Sequence, residues 1–205
     1  PPEVILAASA LWKGYIVASF FGTPPPPQKK FTDLNPIWGK HGSISVRQFS
    51  EGTCFIFIPS LLTRQWVLEV GYWSVGTVGF TVSEWTPSPQ FHSNILETVP
   101  LWLTLHNIPP QLWSRDGICL TASGIGKPIP QPRQKPLPAA LGSAKVRVIV
   151  DLLRPILSDV AVRDKSGNIV RVAVDHGKLP PKCSGCSNYG HQLHRCPLSD
   201  KALSS

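Results

Sequence analysis

Apolar and polar residues alternate with a two-residue period in several short runs of this chain, and between them the period lengthens to that of a helix. In Ser43–Phe49, Ile44 and Val46 fall on one side and Ser45 and Arg47 on the other, the pattern of a half-buried strand. Gly14–Phe21, Cys54–Ile58 and Thr77–Trp85 are apolar enough for further strands. Pro24–Pro27 breaks the first of these, and a short helix is expected around Phe31–Trp38, shortened or kinked by Pro36. Ser60 is placed to cap a helix over Leu61–Val70, with Leu62, Trp66 and Val70 at i, i+4, i+8 and Gly71 as its stop. The predicted order is β-α-β-β-α-β.

That order is the split βαβ arrangement of ferredoxin-like and RNA-recognition-motif domains, expected here over residues 10–88. Thr86–Ser93, with Pro87 and Pro89 among polar neighbours, reads as a linker. A smaller mixed α/β segment follows over 98–177. In it Val99–Leu105 is a strand, Pro109–Ile125 contains a helix, and Pro128–Pro138 is irregular. Ala144–Val150 alternates, with Val146, Val148 and Val150 inward and Lys145 and Arg147 outward. Val160–Arg163 and Ile169–Val174 flank Asp164-Lys165-Ser166-Gly167-Asn168, a hairpin turn. Lys145, Arg147, Arg163 and Arg171 can then share the exposed face of this second sheet, either solvating it or binding an anionic partner.

Near the C-terminus the pattern changes to Cys183-x2-Cys186-x4-His191-x4-Cys196, within an expected metal module over 178–200. Three thiolates and one imidazole on so tight a loop match a closed tetrahedral zinc site. The loop has no core of its own, so Zn2+ would supply most of its folding free energy. Gly190 gives the backbone freedom to turn His191 inward. This is the spacing of the CCHC zinc knuckle, a module that binds single-stranded nucleic acid. Leu193 and Tyr189 are the expected base contacts and Lys182 and Arg195 the phosphate contacts. Ser184 follows the first ligand where sequence-reading knuckles place an aromatic, which predicts weaker and less selective binding. His194 stands two residues from Cys196 and is not expected to ligate.

Charge sharpens this picture. The formal net charge is +8 over 205 residues. Residues 1–98 carry six basic and six acidic side chains, residues 99–205 fourteen and six, so the excess lies in the half that holds the metal loop. That is the electrostatic footprint of a nucleic-acid binder. Three thiolates on one divalent ion leave the centre negative, so Lys178, Lys182, Arg195 and Lys201 must outweigh it and Asp200 before phosphate is attracted. The remaining cysteines, Cys54 and Cys119, sit in apolar runs as small buried hydrophobes. An odd total of five, three of them in a metal pattern, argues for a reducing intracellular compartment, nuclear or cytoplasmic, rather than secretion. Val4–Phe21 is apolar but interrupted by Lys13-Gly14, and reads as a strand with its approach rather than a signal or membrane segment. A start at Pro1-Pro2 with no Met anywhere reads as a fragment of a longer product.

No catalytic signature accompanies these features: there is no phosphate-binding loop ending in Lys-Ser/Thr, no Gly-x-Ser-x-Gly elbow and no His-Glu-x-x-His. Gly124-Ile125-Gly126-Lys127-Pro128 is too short for a P-loop. A four-ligand zinc leaves no position for a reacting water. Glu51–Ile58 aligns partly with the third strand of an RNA-recognition motif, putting Phe55 and Phe57 on one face. Glu51 and Thr53 depart from that pattern, so the two rings are expected to pack against another element rather than to stack on bases.

Several segments taken together carry a family resemblance. Trp66-Val67-Leu68-Glu69 followed by Gly71-Tyr72-Trp73, Val99–Leu105, Ile108-Pro109 through Leu112-Trp113, Ala122–Pro128 and Pro180-Pro181-Lys182-Cys183 are its residues. In this the chain resembles plant proteins with an N-terminal domain of unknown function and a C-terminal CCHC knuckle. Among them is the first open reading frame of LINE-type retrotransposons, with its domesticated relatives. The resemblance implies a gag-like, nucleic-acid-binding role. Asn35-Pro36 departs from the uninterrupted first helix it implies.

The expectation is therefore an α+β protein, not an enzyme, that binds single-stranded RNA or DNA, RNA favoured, in a zinc-dependent way. Its expected contacts are Lys182, Tyr189, Leu193, Arg195, Lys145, Arg147 and Arg171. The alternative is a protein–protein assembly module, with the knuckle as a docking element and the neutral first half self-associating. Neither a membrane nor a small-molecule substrate is expected.

Overall fold

Strand formation follows the alternating runs closely. A computed structural model describes residues 11–86, 95–129, 142–163 and 167–198. Residues 87–93 of the expected linker, 130–138 of the proline-rich stretch, the turn residues Asp164, Lys165 and Ser166, and Asp200 and Lys201 lie outside the described residues. The fold is mixed α+β, with two antiparallel five-stranded sheets and, among the described residues, three α-helices. The chain divides into two units: Pro1–Leu96 together with Pro180–Ser205, and Glu97–Leu179. No helix among the described residues is long and apolar enough to cross a membrane.

The first unit runs β1 (Tyr15–Phe20), α1 (Pro27–Trp38), β2 (Ser45–Ser50), β3 (Thr53–Phe57), α2 (Leu61–Val70), β4 (Tyr72–Val75) and β5 (Val78–Glu84). Its sheet order is β2-β3-β1-β5-β4. One strand more than expected is present. Val75 pairs with Val78 across a two-residue loop whose first member, Gly76, has φ 59°, as a type II′ hairpin turn requires. Alternate residues of the sheet meet the helices in one core of Ile16, Ala18, Phe20, Cys54, Ile56, Val78 and Phe80 with Leu34, Trp38 and Val67. The Trp38 ring stands edge-on to Trp73 at 5.1 Å, and such pairs add to the area they bury.

Helix α1 starts earlier than expected, because Pro27 occupies its first turn, where a missing N–H costs nothing. Pro36 sits inside the helix, which ends two residues later at Trp38. In α2, Ser60 Oγ accepts the Thr63 N–H at 3.2 Å, and Gly71, φ 76°, ends the helix. The apolar row of Leu62, Trp66 and Val70 is not the inner face: Val67 is the buried residue, while Leu62 is 79% and Trp66 44% exposed. This helix is apolar around much of its circumference, so periodicity alone does not choose its inner face. The tie from Trp73 Nε1 to the Val67 carbonyl, 3.1 Å, brings Val67 toward the sheet.

The second unit contains β6 (Thr98–His106), a 3-10 turn (Pro110–Leu112), α3 (Arg115–Ser123), β7 (Gly126–Pro128), β8 (Ser143–Asp151), β9 (Asp159–Arg163) and β10 (Ile169–Asp175). Its sheet order is β7-β8-β6-β10-β9. Residues paired across antiparallel strands share a face. Val99, Leu101 and Leu103 therefore lie with their partners Val150, Val148 and Val146. Ile118, Thr121 and Ala122 are the buried residues of α3, and the helix ends against Val160 of this apolar face. One expectation is overturned here: Arg147 is 5% exposed, not outward in solvent. It lies on the interior strand β8, opposite Trp102 and flanked by β7 and β6, where neighbouring strands on both sides cover a side chain as they do not at a sheet edge.

Candidate metal centre

The four ligand atoms of Cys183, Cys186, His191 and Cys196 lie within 4.8 Å of one another. The chain folds locally to bring this about. Lys182 and Tyr189 form an antiparallel bridge, the Cys183 N–H donates to the Asn188 carbonyl at 2.9 Å, and the Ser187 N–H donates to the Cys183 carbonyl at 2.9 Å. The tight turn between them uses the left-handed region at Ser187, φ 62°. Gly190, φ 105°, donates its N–H to the Pro181 carbonyl at 2.8 Å and sends the chain to His191. A 3-10 turn over Leu193–Arg195 then delivers Cys196, whose N–H donates to the Leu193 carbonyl at 3.0 Å.

Cys183, His191 and Cys196 are buried and Cys186 half-buried. His191 presents Nε2 to Cys186 Sγ at 3.4 Å, while its buried Nδ1 has no hydrogen-bond partner among the described residues. Burial raises the Cys183 thiol, but N–H groups of Cys186 and Gly185 and the neighbouring thiols more than offset it, so its pKa falls below the ordinary value. Burial raises the Cys186 thiol, and the adjacent Cys183 adds to that effect. One thiolate thus discourages the next, a conflict that a bound cation resolves. Three sulfurs and one imidazole nitrogen gathered this closely fit a metal ion, and the donor set is that of a closed structural site.

This loop is packed against the first sheet. The Gly79 N–H donates to the Gly190 carbonyl at 2.6 Å, and the Thr23 N–H donates to the Arg195 carbonyl at 2.9 Å. A Cβ on Gly190 would lie 2.6 Å from Phe21 Cβ, and one on Gly22 would lie 2.7 Å from His191 Cβ. His194 stands outside the cluster, its Nε2 3.0 Å from Thr77 Oγ1. These contacts join residues more than a hundred positions apart, and no local pattern signals them.

Of the predicted contact residues, Lys182, Tyr189, Leu193 and Arg195 are together on the metal loop. Lys182 Nζ lies 5.3 Å from the Tyr189 ring centroid. Leu193 is half-exposed and leans over Gly185. Lys145, Arg147 and Arg171 are on one face of the second sheet, as their cross-strand partners Thr104, Trp102 and Ala161 define it. Arg171 is paired with Asp159 at 2.8 Å.

The rings of the first unit form a cluster on the sheet face away from the helices. Phe55 is buried, 4.9 Å from Trp12 and 4.9 Å from Phe49, so it packs against other elements as expected. Phe57 is half-buried beside Tyr15 at 5.3 Å, and Trp12 stacks on Trp85 at 6.0 Å. Sequence reasoning missed Trp102. Its signal was present: it is an aromatic on the outward phase of the alternating run Val99–Leu105.

Fold and site together define an α+β protein with a Cys3His cluster fit for a metal ion. A family model described as a domain of unknown function, DUF4283, matches residues 8–93. No curated protein matches the chain at a significant level.

Proposed function

We propose that this protein is a non-catalytic binder of single-stranded nucleic acid, RNA favoured, whose Cys/His loop is a CCHC zinc knuckle. The observation that carries the reading is the convergence of three sulfurs and one imidazole nitrogen within 4.8 Å on a loop that also displays Lys182, Tyr189, Leu193 and Arg195. Zn2+ held by Cys183, Cys186, His191 and Cys196 would fix the loop's shape. Tyr189 and Leu193 then offer surface for bases, and the cations offer contacts for phosphates. On the same reading the first unit is RNA-recognition-motif-like: β2-β3-β1-β5 is the strand order of a βαββαβ domain, with β4 added at the edge. Family resemblance extends the proposal to a gag-like, retrotransposon-derived protein of plant type, acting inside the cell.

The test is fluorescence-anisotropy titration of single-stranded RNA and matched DNA, metal-loaded and after chelation, at two salt concentrations. Metal-dependent, salt-sensitive binding is expected. Binding that is unchanged by Cys183→Ser would remove the metal loop from the mechanism.

A further inference from the structure

The second sheet has one face under α3 and one face of different character. Cross-strand pairing assigns Lys127, Ile149 and Pro100 to that other face, then Arg147 with Trp102, Lys145 with Thr104 and Asp175, and His106 with Ala173 and Asp159. Charge is distributed unevenly across it. On β9 and β10, Arg163 and Arg171 are balanced by Asp159, which pairs with Arg171 at 2.8 Å, and by Asp175. On β7, β8 and β6 the face carries Lys127, Lys145 and Arg147, and its one acid, Asp151, is paired with Arg154 at 3.1 Å.

Trp102 is the informative residue. The other apolar side chains of its strand, Val99, Leu101, Leu103 and Leu105, are buried, whereas Trp102 is 40% exposed at the strand's centre. Lys145 Nζ lies 5.5 Å from its ring centroid, and exposed Lys127 is one strand further out. A partly exposed aromatic ring with one lysine against it and another a strand further out complements one ligand chemistry: an unpaired base with its flanking phosphates.

We infer that this face is a second, metal-independent surface for single-stranded nucleic acid, with a base stacked on Trp102 and phosphates held by Lys145 and Lys127. It rests on the proposed function above but uses residues of the other unit. The strand would follow β7, β8 and β6 and stop short of the acidic side chains on β9 and β10.

The experiment titrates the full chain with a labelled single-stranded RNA of about twelve nucleotides, within the usual site sizes. Wild type, Trp102→Ala, Trp102→Phe, Lys145→Glu and Cys183→Ser are compared, metal-loaded and chelated, with circular dichroism as the check on folding. Trp102→Ala is expected to weaken binding about 5- to 150-fold, the loss of one stacked base, while Trp102→Phe retains most of it. Lys145→Glu is expected to flatten the salt dependence. The same Trp102 dependence should persist after chelation. If Trp102→Ala and Lys145→Glu bind within about twofold of wild type while Cys183→Ser does not, this face is not the site and the metal-loop reading stands. If Trp102 matters and chelation does not, the face stands and the metal-loop reading fails. Absence of any RNA or DNA binding overturns both, and equal displacement of RNA by polyglutamate overturns the face as a nucleic-acid site.

Discussion

Replacing Gly190 with alanine tests how the metal loop is held. Two costs can be read from the structure. At φ 105° a side chain is strained, by about 1–3 kcal/mol. Independently, the new Cβ would sit 2.6 Å from Phe21 Cβ, an atom fixed to the backbone of a buried residue that cannot swing aside. Relief by shifting the loop would strain the bonds from the Gly79 N–H to the Gly190 carbonyl and from the Gly190 N–H to the Pro181 carbonyl. Together about 2–4 kcal/mol is expected. On the proposed reading, in which a metal orders the loop, that cost should appear as metal affinity weakened about 30- to 1000-fold. Cobalt(II) absorption titrated against zinc measures it. Gly185→Ala is the internal control, since its Cβ would meet the tip of the flexible Leu193 side chain at 2.7 Å and Cys183 Sγ only in ordinary contact at 3.8 Å, and its backbone is not in the left-handed region. It should stay within about threefold of wild type. A Gly190→Ala affinity within threefold of wild type, or an equal loss from Gly185→Ala, would refute the argument.

Further outcomes follow from the same geometry. Chelation should lower the thermal midpoint of the first unit, because the loop packs on Phe21 and contributes two backbone hydrogen bonds; at saturating metal the stabilisation is about 3–4 kcal/mol. An unchanged midpoint with metal shown to be absent would count against the packing. Ser60→Ala should cost about 1 kcal/mol in denaturant titration through loss of the Thr63 cap, and a neutral result would mean water replaces it. Burial raises the Cys54 thiol to about 11, opposed by nearby Lys30. The folded state therefore holds a proton that the unfolded state releases, and stability is lost as pH climbs from 9.0 toward about 11. Cys54→Ala should flatten that alkaline slope in urea midpoints; an identical slope would show that another group carries it.

The metal loop was the most legible part of the sequence, because ligand type and spacing are local and chemically restrictive. Strands were legible from alternation where one face is buried, as in Val99–Leu105, and also in Ser43–Phe49, where only Ile44 is buried and Val46 half-buried. Strand β4 was not, although Gly76 marks its turn, because four residues between a helix stop and the next strand carry little periodicity. The inner face of α2 escaped because Leu61, Leu62 and Trp66 make a second apolar stripe beside Val67. Arg147 escaped because strand alternation reports the face, not what shields it. Nothing local could have shown Phe21, Gly22 and Gly79 meeting the loop, since those contacts exist only after long-range packing.

Those contacts also set an order of events during synthesis. The Gly79 N–H and its acceptor, the Gly190 carbonyl, are separated by roughly 110 residues, a slow closure for a chain of this size. At translation rates of about 5–20 residues per second, the first sheet can exist for roughly 5–20 s before its partner emerges. In that interval Phe21 and the Gly79 N–H face water or whatever else is at hand. The nascent first unit is therefore most prone to mispairing along that seam, and early availability of metal would decide how quickly the seam closes.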